Sequence, residues 1–98
     1  MLISSKAYRE WELEQLHRLH GNKLHVPSNT KLQISCEFFL PDMRRRDLSN
    51  MFESVADMLV KAQVIDDDNA FVLSSVHLYF ISIDRENPRC LVRINWED

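Results

Sequence analysis

Leu32, Ile34, Cys36, Phe38 and Leu40 alternate with Gln33, Ser35 and Glu37, a period of two that predicts a strand with one buried face. Pro41 ends it, because proline cannot donate into a strand ladder. Phe39 is out of phase and marks a second buried face or a partner surface. Leu48, Met51, Phe52, Val55, Met58, Leu59 and Ala62 then recur at three- and four-residue steps, the strongest periodic signal in the chain and that of an amphipathic helix. Upstream, Tyr8, Trp11, Leu16 and Leu19 fall within about half of a helical circumference. They predict a first helix over 4–20, capped by Ser4 or Ser5 and stopped by Gly21. A polar loop containing Pro27 and Asn29 follows. Two further strands, about Phe71 to Ile83 and Arg89 to Trp96, are joined by the turn-forming Arg85-Glu86-Asn87-Pro88 and read as a hairpin. The order α-β-α-β-β predicts an α+β domain, a mixed β-sheet with helices packed on one face. Gln63 stands where a left-handed glycine usually ends a helix.

The length of 98 residues leaves room for a single domain, 1–98, just large enough to bury a core without a metal or disulfides. Its 45% hydrophobic and 28% charged content is ordinary for a soluble globular protein. No stretch approaches the roughly 18 apolar residues of a membrane span, and the apolar run after Met1 is too short for a signal peptide. The expected location is therefore cytoplasmic, with no membrane partner. Cys36 and Cys90 lie among Ile, Val and Phe without metal or redox spacing, and are expected to be buried thiols. A formal charge of -3 argues against a protein that coats nucleic acid non-specifically. Any such contact must be local, and the positive charge is gathered at Arg44, Arg45 and Arg46.

Those arginines adjoin Asp47, immediately before the second helix, and the acidic run Asp66-Asp67-Asp68 follows it. Taken alone, Asp47 is expected to be a helix cap accepting backbone N–H groups at the positive end of the helix dipole, and the acidic run a solvated turn. Together they have another use. Mg²⁺ needs a few hard carboxylate oxygens, and attack on phosphate needs cations that hold the backbone, a task suited to the forked guanidinium. Ser49, Glu53, Asp57 and Lys61 are spaced by four and line one polar stripe of the helix.

The run Pro41-Asp42-x-Arg44-Arg45-Arg46-Asp47-Leu48-x-Asn50, with Asp57, Leu59, Lys61-Ala62, Val64-Ile65 and Asp67-Asp68 in register behind it, resembles the core of the RusA-type Holliday junction resolvases, endodeoxyribonucleases common in phages and prophages. Ser5-Lys6-Ala7-Tyr8-Arg9 resembles the start of that family's first helix, so the likeness covers most of the chain. It implies a homodimer that cuts four-way DNA junctions symmetrically in recombination and repair, using Mg²⁺ or Mn²⁺ held by aspartates. Carried over by position, Asp47 and Asp68 would be metal ligands with Asp67 close by; the expected DNA contacts are Arg44, Arg45, Arg46, Asn50 and Lys61. The chain departs from the pattern at Ser49, where the family has an aspartate, and at Glu53, where it has a lysine. The family's opening strand has no counterpart before Ser5. Glu53 lies four residues from Ser49, so its longer carboxylate is a candidate replacement ligand.

A helix of some fifteen residues is roughly 22 Å long, which sets Asp47 and Asp68 at opposite ends. Either the following loop returns a long way or the site is shared across a two-fold interface. Two other readings stand beside the nuclease: a junction-binding descendant that no longer cuts, and an unrelated interaction domain whose acids are caps and turns. His17, His20 and His25 lack a third ligand at a metal-site interval and are expected to be plain surface residues. Trp11, Phe38, Phe39, Phe52, Phe71, Phe80 and Trp96 fall mostly on apolar faces and are expected in the core rather than stacked on bases.

Overall fold

A computed structural model describes residues 6–14, 18–20 and 25–97. The elements are β1 (Lys6–Glu14), β2 (Arg18–His20), β3 (Leu32–Leu40), α1 (Leu48–Lys61), β4 (Leu73–Ile83) and β5 (Arg89–Glu97). The strands form one five-stranded sheet in the order β2-β1-β5-β3-β4. β3 and β4 are parallel, joined across α1, and every other pairing is antiparallel. The domain is α+β with a mixed sheet, and α1 is the helix of the described residues.

The expected first helix is instead strand over 6–14 and 18–20; Ser4, Ser5 and Gly21, its expected cap and stop, lie outside the described residues. Glu10-Trp11-Glu12-Leu13-Glu14 also alternates with period two, so the segment satisfies both periodicities. Pairing decides between them. All nine residues of β1 pair with β5, from Lys6 opposite Glu97 to Glu14 opposite Arg89, which satisfies the outer backbone edge of β5. Leu13 is fully buried while Glu12 is partly exposed, as strand alternation requires.

The expected hairpin of the last two strands is also corrected. β4 and β5 do not pair; β3 lies between them. The crossover through α1 sets β4 alongside β3 in parallel, and β5 then returns on the opposite edge of β3. The 84–88 connection passes over the end of β3, where the Asp84 N–H donates to the Leu40 carbonyl at 2.7 Å. Arg89 fixes the passage. Its guanidinium donates to Asp84 Oδ2 at 2.8 Å and lies 3.8 Å from the centroid of the Phe39 ring. Phe39, the out-of-phase residue, is thus covered on the face of the sheet away from the core.

The core lies between α1 and the other sheet face. Met51, Val55, Ala56 and Leu59 of α1 are buried, as are Ile34, Cys36 and Phe38 of β3 and Cys90, Val92, Ile94 and Trp96 of β5. Cys36 and Cys90 are free buried thiols. A hydrogen bond between the two thiols, together with burial, pushes the Cys90 thiol far up, so Cys90 is not a ready nucleophile.

Candidate functional site

The chain between β3 and α1 is short, polar and held by one carboxylate. Asp42 Oδ1 accepts the Arg44 N–H at 2.9 Å and pairs with Arg46 Nη1 at 2.8 Å. Arg46 also donates to the Asp42 and Arg44 carbonyls. These bonds hold the Asp42 carboxyl below its ordinary value, the Arg46 hydrogen bond contributing most. The three arginines therefore divide. Arg46, 26% exposed, is a strut of the loop. Arg44 is 85% exposed and only 4.0 Å from Asp42 at its Nε; Arg45 is exposed as well.

Asp47 is the N-cap of α1 with extended backbone, and its carbonyl accepts the first helical bond from Met51 N–H. Its carboxylate makes no side-chain cap bond. The expected capping role thus falls to the backbone, and an exposed carboxylate without a cap bond is left beside Arg45 and Arg46. Arg45, Arg46, Asp47 and Asn50 share one shallow groove with Met51 and Ser54. Glu53 is exposed on α1, outside that lining. Lys61 is at the far end of the helix, 3.8 Å from Asp57, so the structure separates it from the arginines.

The acidic turn is built at the other end of α1. The helix closes with Gln63 at φ 60°. Gln63 N–H donates to the Val60 carbonyl at 3.0 Å and Val64 N–H to the Leu59 carbonyl at 2.9 Å, the paired bonds of a Schellman motif, with Val64 and Leu59 both buried. The left-handed position that the sequence marks at Gln63 is therefore real. The segment before β3 is pinned to this cap. Val26 N–H donates to the Val64 carbonyl at 2.9 Å, and His25 Nδ1 lies 2.7 Å from the Gln63 carbonyl. His25 Nε2 meets Asp66 Oδ1 at 2.8 Å.

The three aspartates of the turn therefore differ. Asp66 is paired with His25. Asp67 accepts Asp68 N–H at 2.7 Å and Asn69 Nδ2 at 2.9 Å, and these bonds, the Asp68 N–H first, hold its carboxyl below the ordinary value. Asp68 is exposed. Among the described residues no group of three His, Cys, Asp or Glu side chains is close enough to hold a metal. Asp47 and Asp68 flank a helix of 14 residues, about 21 Å long. Asp47 and Asp68 of one copy thus lie at opposite ends of α1.

Sequence reasoning missed two features. The His25 to Asp66 pair joins residues far apart in sequence, which local spacing cannot reveal; of the other histidines weighed, His17 lies outside the described residues. Phe71 and Phe80, expected in the core, are exposed. Phe71 precedes β4 in a turn, with Lys31 Nζ 5.9 Å from its ring centroid, and Phe80 sits on an edge strand. No helix of the described residues is long and apolar enough to cross a membrane. Compared with known proteins, the chain matches no protein-family model and none of the curated proteins.

Proposed function

We propose that the protein is a RusA-like endodeoxyribonuclease acting on four-way DNA junctions as a homodimer. The observation that carries the reading is the group at the start of α1: an exposed carboxylate without a cap bond, Asp47, in one groove with Asn50, Arg45 and Arg46. Forked guanidinium groups recognise phosphate, and an uncommitted acid beside them suits phosphodiester chemistry better than it suits helix capping. Asp68 is the matching exposed acid at the far end of the helix. Mg²⁺ or Mn²⁺ is the component this reading adds, and it requires carboxylates from two copies, because a single copy keeps Asp47 and Asp68 a helix length apart. The acid supplied by each position is then Asp47 from one protomer and Asp67 or Asp68 from its partner.

The test incubates the protein with a labelled four-way junction and a matched linear duplex in Mg²⁺ and in Mn²⁺, with Asp47→Asn and Asp68→Asn alongside. Paired nicks confined to the junction and absent from both variants are the expected outcome. A junction that is retained but never cut assigns the chain to the second reading, a binding protein descended from such a nuclease, for which Ser49 in place of a third aspartate is the specific observation.

A further inference from the structure

A second groove lies on the other side of the arginine loop. Its floor is apolar, formed by Leu40, Leu48, Met51, Phe80 and Ile83, and its rim carries Met43, Arg44, Arg45 and the paired Asp42 and Arg46. Phe80 is the unusual member. It pairs with the fully buried Phe38 in the sheet register, on the side that α1 covers, yet it is 51% exposed because β4 is the edge strand. The register shifts immediately after Phe80, so that Phe39 pairs with Ser82 and Ile81 is the extra residue of a bulge. Bulges at sheet edges re-aim neighbouring side chains. Met43, 77% exposed at the rim, adds a polarizable apolar group above the same floor.

A half-exposed aromatic face under a rim in which three arginines outnumber one carboxylate fits one chemistry closely. We propose that this groove takes an unstacked nucleobase from the DNA strand at the junction, its ring against Phe80 and its phosphates against Arg44 and Arg45. The proposal rests on the function proposed above and adds a base-holding site to it. Charge complementarity selects the occupant: three arginines against the single carboxylate of Asp42 leave the rim net cationic, which suits a polyanionic strand. Base stacking on an aromatic side chain is tolerant of sequence, so the site would grip a base without reading it. A four-way junction offers such a base at its crossover, where strands exchange and stacking is weakest. The groove shares Arg45, Arg46 and Met51 with the Asp47 groove, so a strand held here passes directly beside the uncommitted carboxylate.

The experiment measures affinity, without cleavage, for a four-way junction and for the same junction with abasic residues at the crossover, both in EDTA. Wild-type protein is expected to lose about fivefold or more on the abasic junction, the value of one stacked base. Phe80→Leu, which keeps apolar volume without a π face, should bind the intact junction as weakly as wild type binds the abasic one, and Phe80→Trp should restore the difference. Arg45→Ala should weaken both junctions alike. Binding to the intact junction that ignores both Phe80→Leu and the abasic substitution overturns the base site while leaving the proposed function standing. A wild-type protein that binds no junction at all overturns both. A change of oligomeric state in Phe80→Leu with unchanged junction affinity would give the groove to a second copy and overturn the inference.

Discussion

At the scale of single residues, the acids of this protein sort by what holds them. Asp42, Asp67 and Asp84 are each held below the ordinary value of 3.8: Asp42 chiefly by Arg46, Asp67 by the Asp68 N–H, and Asp84 by the Asn87 N–H and then Arg89. A carboxyl with a depressed folded-state value contributes stability above its unfolded value, and that contribution is lost as pH falls through the folded one. Thermal stability should therefore be flat across neutral pH and fall below about pH 4. Asp42→Asn and Asp84→Asn should each lower stability at pH 7 and flatten that acid limb, which melts recorded between pH 2 and 7 would check. Asp47 and Asp68 are both exposed, Asp47 without a side-chain cap bond and Asp68 beside the Asp67 carboxyl. Glu53 belongs with them as the proposed replacement for the acid absent at position 49. Glu53→Gln should weaken Mn²⁺ binding about tenfold, and a titration unchanged from wild type would remove Glu53 from the site.

At the scale of elements, α1 is set by its ends as much as by its apolar stripe. Gln63 adopts φ 60°, a conformation that costs a residue with a Cβ about 1 kcal/mol relative to glycine. The bonds that His25 and Val26 make here go to the Gln63 and Val64 carbonyls, so a side-chain change at 63 leaves them in place. Gln63→Gly is expected to stabilise the protein by about 1 kcal/mol, seen as a higher urea midpoint with an unchanged slope. This cap was legible in the sequence, as were β3 and the extent of α1, because each is written in local periodicity or in one residue at a helix end. β1 was not. Tyr8, Trp11, Leu16 and Leu19 mimic a helical face in the sequence, and the residues that overrule Tyr8 and Trp11, Asn95 and Val92, sit more than eighty positions away in β5. The same limit applies to β4 and β5: the turn at 85–88 is real as a change of direction, but which strands it joins into a ladder depends on β3, contributed far upstream. At the candidate site, the arginine run and Asp47 were visible as a motif. The division of labour within it was not, since only the Asp42 bonds reveal that Arg46 is a strut while Arg44 and Arg45 stay exposed.

At the scale of the whole molecule, the separation of Asp47 from Asp68 makes a stronger demand than any single contact. Both acids flank the same rigid helix, and the Schellman cap together with the His25 clasp holds the acidic turn at its own end. A loop fastened in this way does not swing back along α1, which is why the proposed function takes its two acids from different protomers. In the proposed dimer, two-fold symmetry would give two sites, each joining Asp47 of one protomer to Asp68 of its partner, as symmetric cutting of a junction would require. The arrangement has a signature that a site within one chain cannot produce. Asp47→Asn and Asp68→Asn should each be inactive alone. When the two are mixed, unfolded and refolded together, half of the dimers are mixed, and each mixed dimer holds one site with both acids intact and one with neither. Cleavage should return at about a quarter of the wild-type site content, and it should appear as single nicks in place of paired ones. A mixture as inactive as its components would require Asp47 and Asp68 to act within one chain, and would oblige the acidic turn to leave the cap that holds it.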